Sequence, residues 1–169
     1  MMVRHSNGVV SYAPLYRHVF RFVQPHFLAD AEKFNIDYPD PTQLDSTADK
    51  LRHYRYKKGL LQREVAEYAN IERTTYSDYE DTERDYYPLD VMEQIAEVLE
   101  VEIIELLDEY NMFLFLGQSR QIKQFRKSLG LTQKVLAAQL GVNKTTYKRW
   151  EYGKVRMSKA TWQKIFYEI

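Results

Sequence analysis

Apolar residues in the second half of the chain recur at helical spacing. Ile122, Phe125 and Leu129 fall on one helical face, and Val135, Leu136 and Leu140 are expected inward on the next helix. Gly130 and Gly141 separate the runs. Glycine accepts the left-handed backbone that closes a helix, so each glycine predicts a helix end. Thr132 is placed to cap a second helix and Asn143 a third, whose inward side is Tyr147 and Trp150. A fourth helix is predicted from Ser158 onward. The same plan occurs upstream. Shifted by 71 positions, residues 51–80 fall on 122–151 without a gap, and nine of the thirty positions are identical. They are Arg55/Arg126, Gly59/Gly130, Leu60/Leu131, Gln62/Gln133, Ala66/Ala137, Thr74/Thr145, Thr75/Thr146, Tyr76/Tyr147 and Glu80/Glu151. Such a match predicts two copies of one small bundle. In the first copy Asn70 replaces the turn glycine, and a fifth helix is expected around residues 102–108.

Residues 1–48 follow no such period. Pro14, Pro25, Pro39 and Pro41 interrupt them, and residues 38–47 read as a linker. Ser46 and Asp49 form a capping box for the next helix. The stretch 9–23 is rich in β-branched and aromatic residues and is compatible with a strand, a hairpin or a helix. The expected fold is mainly α: two tandem small helical bundles with an irregular or small α/β N-terminal segment. The expected domains are 1–48, an acidic bundle at 49–116 and a basic bundle at 117–169.

Charge separates the copies. The 24 basic and 24 acidic side chains cancel over the whole chain. Residues 1–48 carry 4 basic and 5 acidic side chains, residues 49–116 carry 8 and 17, and residues 117–169 carry 12 and 2. The last segment has a net +10 against −9 in the one before it. A dense positive field attracts polyanions. Cysteine is absent, which excludes disulfides and thiolate metal sites. His5, His18, His26 and His53 show no metal-ligand spacing, and there is no glycine-rich phosphate loop. No cofactor, metal or enzymatic activity is expected. The longest purely apolar run, 112–116, is far too short to span a bilayer. A cytoplasmic protein without membrane contact is expected.

The stretch Arg126-Lys-Ser-Leu-Gly-Leu-Thr-Gln133, then Leu136-Ala-Ala, Leu140-Gly-Val-Asn143, Lys144-Thr-Thr-Tyr-Lys-Arg-Trp-Glu151 and Gly153-Lys154 resembles the phage repressor/Cro (XRE-type) helix-turn-helix family. The resemblance covers one full domain and a degenerate one upstream. It implies compact all-α domains, the second reading operator DNA, usually as a dimer. The residues argue the same way. At about 100° per residue, Tyr147, Trp150 and Glu151 share the inward side of helix three. Lys144, Thr145, Lys148 and Arg149 share the outward side, a polar cationic face suited to the major groove. The resemblance implies Lys144, Thr145 and Arg149 at base edges, with Thr146 and Lys148 beside them. Gln133, at the start of helix two, suits a phosphate oxygen, and the resemblance implies loop phosphate contacts at Lys154 and Arg156. Ala66 and Ala137 let neighbouring helices cross closely. Arg126 and Glu151 stand 25 positions apart, as do Arg55 and Glu80. The resemblance makes each an ion pair joining helix one to the end of helix three.

The first copy differs where DNA would lie. Asp78 stands at the place of Arg149, and Glu72 at that of Asn143. Loop 82–87 is longer and acidic. This copy is expected to keep the fold with weakened or lost DNA binding; the alternative is a second DNA site through Gln62, Arg73 and Thr74. Two fates are open for the apolar run 110–116: pairing two chains into a homodimer through 102–116, or packing between the two domains of one chain. The functional expectation is a sequence-specific double-stranded DNA-binding regulator, a repressor. The alternative is an antitoxin that takes a partner protein on its N-terminal or acidic part.

Overall fold

A computed structural model describes residues 2–4, 10–12, 25–81 and 84–167. Strands β1 (Met2–Arg4) and β2 (Val10–Tyr12) pair antiparallel, with Met2 opposite Tyr12. Of the stretch 9–23, residues 10–12 are described and form β2; the others lie outside the described residues. Helix α1 is Pro25–Asp37. The chain divides into two compact units, 1–30 and 31–169, so the division falls inside α1 and not after residue 48. The reason is packing. Ala31 is buried, the Phe34 ring meets the Tyr56 ring edge-on at 5.6 Å, and the Arg52 guanidinium lies 5.5 Å from the Phe34 ring centre.

Both bundles lie in the second unit. The first has α2 (Thr47–Lys57), α3 (Gln62–Tyr68), α4 (Arg73–Tyr79), α5 (Leu89–Leu99) and α6 (Ile103–Leu106). Helix α7 (Glu109–Phe115) follows. The second bundle has α8 (Gln118–Ser128), α9 (Gln133–Gln139), α10 (Lys144–Glu151) and α11 (Lys159–Tyr167). The starts are set by side-chain caps. Ser46 Oγ accepts the Asp49 N–H at 3.0 Å, Thr132 Oγ1 that of Val135 at 3.3 Å, and Asn143 Oδ1 that of Thr145 at 2.8 Å. Glu72 stands at the N-cap of α4 without a side-chain bond. The turn before α4 is left-handed at Asn70, φ 52°, as the turn before α10 is at Gly141, φ 69°.

Each bundle has its own core. Leu51, Val65, Tyr76, Met92, Ile95 and Leu99 centre the first. Ile122, Leu136, Tyr147, Trp150, Trp162 and Ile165 centre the second. Ala66 and Ala137 are buried in the first and second cores respectively, where α3 meets α4 and α9 meets α10. Two expected core positions are not covered: Leu129 and Val135 are each 43% exposed. Leu129 is the C-cap of α8, where the chain already turns. Val135 lies about 100° round α9 from Leu136, off the stripe that Leu136 and Leu140 bury.

The fifth helix expected over 102–108 is shorter. It spans Ile103–Leu106, and Leu107 is extended. Asp108 starts a new helix by accepting the Asn111 N–H at 2.7 Å. This new helix, α7, takes up the apolar run. Tyr110 and Phe113 belong to the second core with Leu114 packed beside them, while Met112 and Phe115 pack on the first. Residues 110–115 therefore pack between two cores of one chain. The core of the basic bundle begins at Tyr110, upstream of the expected boundary at 117. Among the described residues no helix is long and apolar enough to cross a membrane.

Candidate nucleic-acid interface

Helix α10 is amphipathic by construction. Tyr147, Trp150 and Glu151 are buried, and the two rings meet edge-on at 6.1 Å. Lys144, Thr145, Thr146, Lys148 and Arg149 are all exposed. The side chains read from the sequence as an outward cationic face thus all reach solvent. Lys148 Nζ lies 5.6 Å from the Tyr152 ring centre, just past the helix end. Gly153, φ 64°, then reverses the chain. The Lys154 N–H bonds back to the Arg149 carbonyl at 2.8 Å, which leaves the Lys154 side chain exposed beside the helix C-terminus.

Two site residues are held otherwise than the sequence led us to expect. The Gln133 amide does not stand free: its Nε2 donates to Glu151 Oε2 at 2.7 Å. Glu151 also accepts from Arg126 Nε at 2.5 Å and from Nη2 at 3.3 Å, and Arg126 Nη1 donates to the Leu131 carbonyl at 2.8 Å. Gln133 retains its carbonyl oxygen and a second N–H for an outside partner. Arg156 is exposed, but its guanidinium lies 3.4 Å from the ring centre of Tyr86, in the first bundle. A cation–π contact therefore draws it across the seam.

The first bundle repeats the polar network. Arg55 Nε donates to Glu80 Oε1 at 2.5 Å and Nη2 to Oε2 at 2.7 Å. Gln62 Nε2 donates to Glu80 Oε2 at 2.9 Å, and Arg55 Nη1 to the Leu60 carbonyl at 3.1 Å. Four of the identities between the copies, at Arg, Leu, Gln and Glu, are thereby explained as one network built twice. The glutamine's place in it was missed, although its 18-residue spacing from the glutamate also repeats. Burial tends to raise the Glu151 carboxyl, but the bonds from Arg126 and Gln133 outweigh it and hold the group below its ordinary value of 4.5.

On α4, Arg73, Thr74 and Asp78 are exposed, as is Glu72 just before it, so carboxylates interrupt the face that is cationic on α10. In the loop that follows, residues 82 and 83 lie outside the described residues. Arg84 turns inward: Nε donates to the Tyr86 carbonyl at 3.1 Å and the guanidinium sits 4.7 Å from the Tyr79 ring centre. No group of three or more His, Asp or Glu side chains among the described residues is arranged to hold a metal ion.

A profile of the helix-turn-helix family matches residues 122–166, from α8 into α11. Sequence-specific DNA binding in transcription regulation goes with that family. The match takes in the basic bundle and leaves the acidic one outside it. No curated protein and no solved structure matches the chain.

Proposed function

We propose that the chain is a transcriptional repressor of the phage repressor/Cro type that holds double-stranded DNA with its second bundle. The observation that carries this is the exposed, carboxylate-free face of α10, in a segment of net +10, within the helix-turn-helix match. In this reading α10 enters the major groove. Lys144, Thr145 and Arg149 meet base edges, with Arg149 reaching a guanine by two bonds. Thr146 and Lys148 flank them, and Lys154 meets a phosphate. The remaining N–H of Gln133 also faces a phosphate, with its amide plane fixed by Glu151. In this reading a compact bundle seated in the groove blocks a competing protein, and repression is the proposed mode.

The two bundles are, in this proposal, copies of one fold. The shared network at Arg, Leu, Gln and Glu supports common descent. Asp78 at the place of Arg149 argues that the first copy no longer reads bases, since carboxylates repel phosphates. Its exposed acidic face favours a second reading in which a basic partner protein docks there, as on an antitoxin.

Selection of bound duplexes from a random pool tests the main reading. The full chain is the right reagent, because residues 117–169 alone lack Tyr110 and Phe113 of the second core. A defined motif is expected. Two half-sites about 10 base pairs apart would show that two chains bind together, and one half-site that a single chain suffices. Recovery of no motif, with binding indifferent to Arg149, would refute base readout.

A further inference from the structure

The segment between α10 and α11, residues 152–158, carries the exposed Lys154 and is held from three sides. From α8, Gln118 Nε2 donates to the Val155 carbonyl at 2.9 Å, and Gln118 Oε1 accepts the Met157 N–H at 2.7 Å. From α7, the Tyr110 hydroxyl donates to the Met157 carbonyl. Tyr110 is buried, with its ring stacked beside Phe113 at 6.5 Å and tilted against Trp162 at 5.7 Å. From the first bundle, Tyr86 offers its ring face to Arg156 at 3.4 Å. One residue past the loop, Lys159 Nζ pairs with Asp108 Oδ2 at 3.1 Å. Tyr86, Asp108 and Tyr110 all lie outside the matched residues 122–166.

We propose that Tyr110 and Tyr86 are positioning residues for DNA binding: they fix loop 152–158 so that Lys154 meets a phosphate beside the groove that α10 enters. The inference rests on the DNA-binding reading above and gives the acidic bundle a task in it. A loop already fixed in its bound form pays no ordering entropy when DNA arrives. The acidic bundle then acts on DNA without touching it. Its contribution runs through α7, which both cores share, and through the Tyr86 ring. Arg156 becomes a clamp between bundles and not a phosphate ligand.

The test uses the full chain and a duplex carrying the selected site, with affinity measured over a series of salt concentrations. Tyr110→Phe removes the hydroxyl and keeps the ring. Tyr86→Leu removes the π face and keeps apolar bulk, and it serves should Tyr110→Phe disturb the second core. Thermal melting confirms that each variant is folded. Lys154→Ala alone is expected to lower the salt slope by about one. Each tyrosine variant is expected to weaken binding by about threefold to tenfold, the worth of one hydrogen bond or cation–π contact. Each is also expected to shift the slope toward that of Lys154→Ala. In a Lys154→Ala background the further loss should largely vanish, since the two changes act on one contact. A purely structural role would lower the melting temperature and leave slope and coupling untouched. Folded tyrosine variants with wild-type affinity, or losses that simply add to that of Lys154→Ala, overturn the inference. A wild-type chain that binds no duplex overturns the DNA reading and this inference with it. A chain that responds to Lys154→Ala but ignores both tyrosine variants overturns this inference alone.

Discussion

Removing one negative charge from each bundle compares the two buried networks directly. Glu80→Gln and Glu151→Gln keep the side-chain length, delete the charge and replace one accepting oxygen by an N–H donor that faces other donors. In the first bundle the Arg55 and Glu80 side chains are 3% and 4% exposed, so a guanidinium that loses its counter-charge keeps the Leu60 carbonyl and the Tyr56 ring but gains little water. Breaking a buried pair from one side costs about 3–5 kcal/mol, and Glu80→Gln is expected to cost that full amount. In the second bundle Glu151 is 3% exposed but Arg126 is 14%, and one of the Arg126 bonds is long at 3.3 Å. Arg126 can recover part of its hydration, so Glu151→Gln is expected to cost about 2–3 kcal/mol, nearer the worth of charged hydrogen bonds. Urea unfolding of the full chain measures both. Both tryptophans, Trp150 and Trp162, lie in the second core, so fluorescence follows that bundle while circular dichroism follows the whole chain. The acid limb gives a second readout. Glu151 is held below its ordinary 4.5, so it contributes stability above that value and loses it as pH falls through its folded value. Glu151→Gln should flatten that limb. A Glu151→Gln cost equal to or above that of Glu80→Gln, or both costs under about 1 kcal/mol, would refute the burial argument.

Arg149→Ala should lose about 1–3 kcal/mol on the selected site and relax the preference at the base pairs it reads; competition binding with single-base variants checks this, and an unchanged preference removes Arg149 from the readout. Burial, aided by Lys57, holds the His53 imidazole below its ordinary 6.5. The unfolded chain therefore takes the proton first as pH falls, and stability drops below about pH 6.5. His53→Phe should lose that part of the pH dependence in thermal melts, and an unaltered profile counts against it. Ser46→Ala should cost about 1 kcal/mol through the lost α2 cap, and an unshifted melting temperature would show that the cap is idle.

Local chemistry was legible along the chain. Caps at Ser46, Thr132 and Asn143, and left-handed turns at Asn70 and Gly141, depend on neighbours within a few residues, and so does the cationic face of α10. The 71-residue shift added what locality could not, because equal spacings in two copies pair Arg55 with Glu80 and Arg126 with Glu151 at a distance. Contacts between elements that do not repeat left no such trace. Leu129 and Val135 have the right character for a core and are left uncovered, since coverage depends on which partner packs there. The run 110–116 reads as an apolar stripe whatever covers it; the tertiary structure alone splits it between two cores. Arg156 reads as a loop cation, and only the folded chain brings Tyr86 beneath it. Sequence by itself settled the helices of the repeated plan and which face of α10 is charged, because backbone geometry and side-chain type fix both over one or two turns; α1 and α7 emerged only in the folded chain. Tertiary packing decided which surfaces remain free, because that depends on residues far apart in the chain meeting in space.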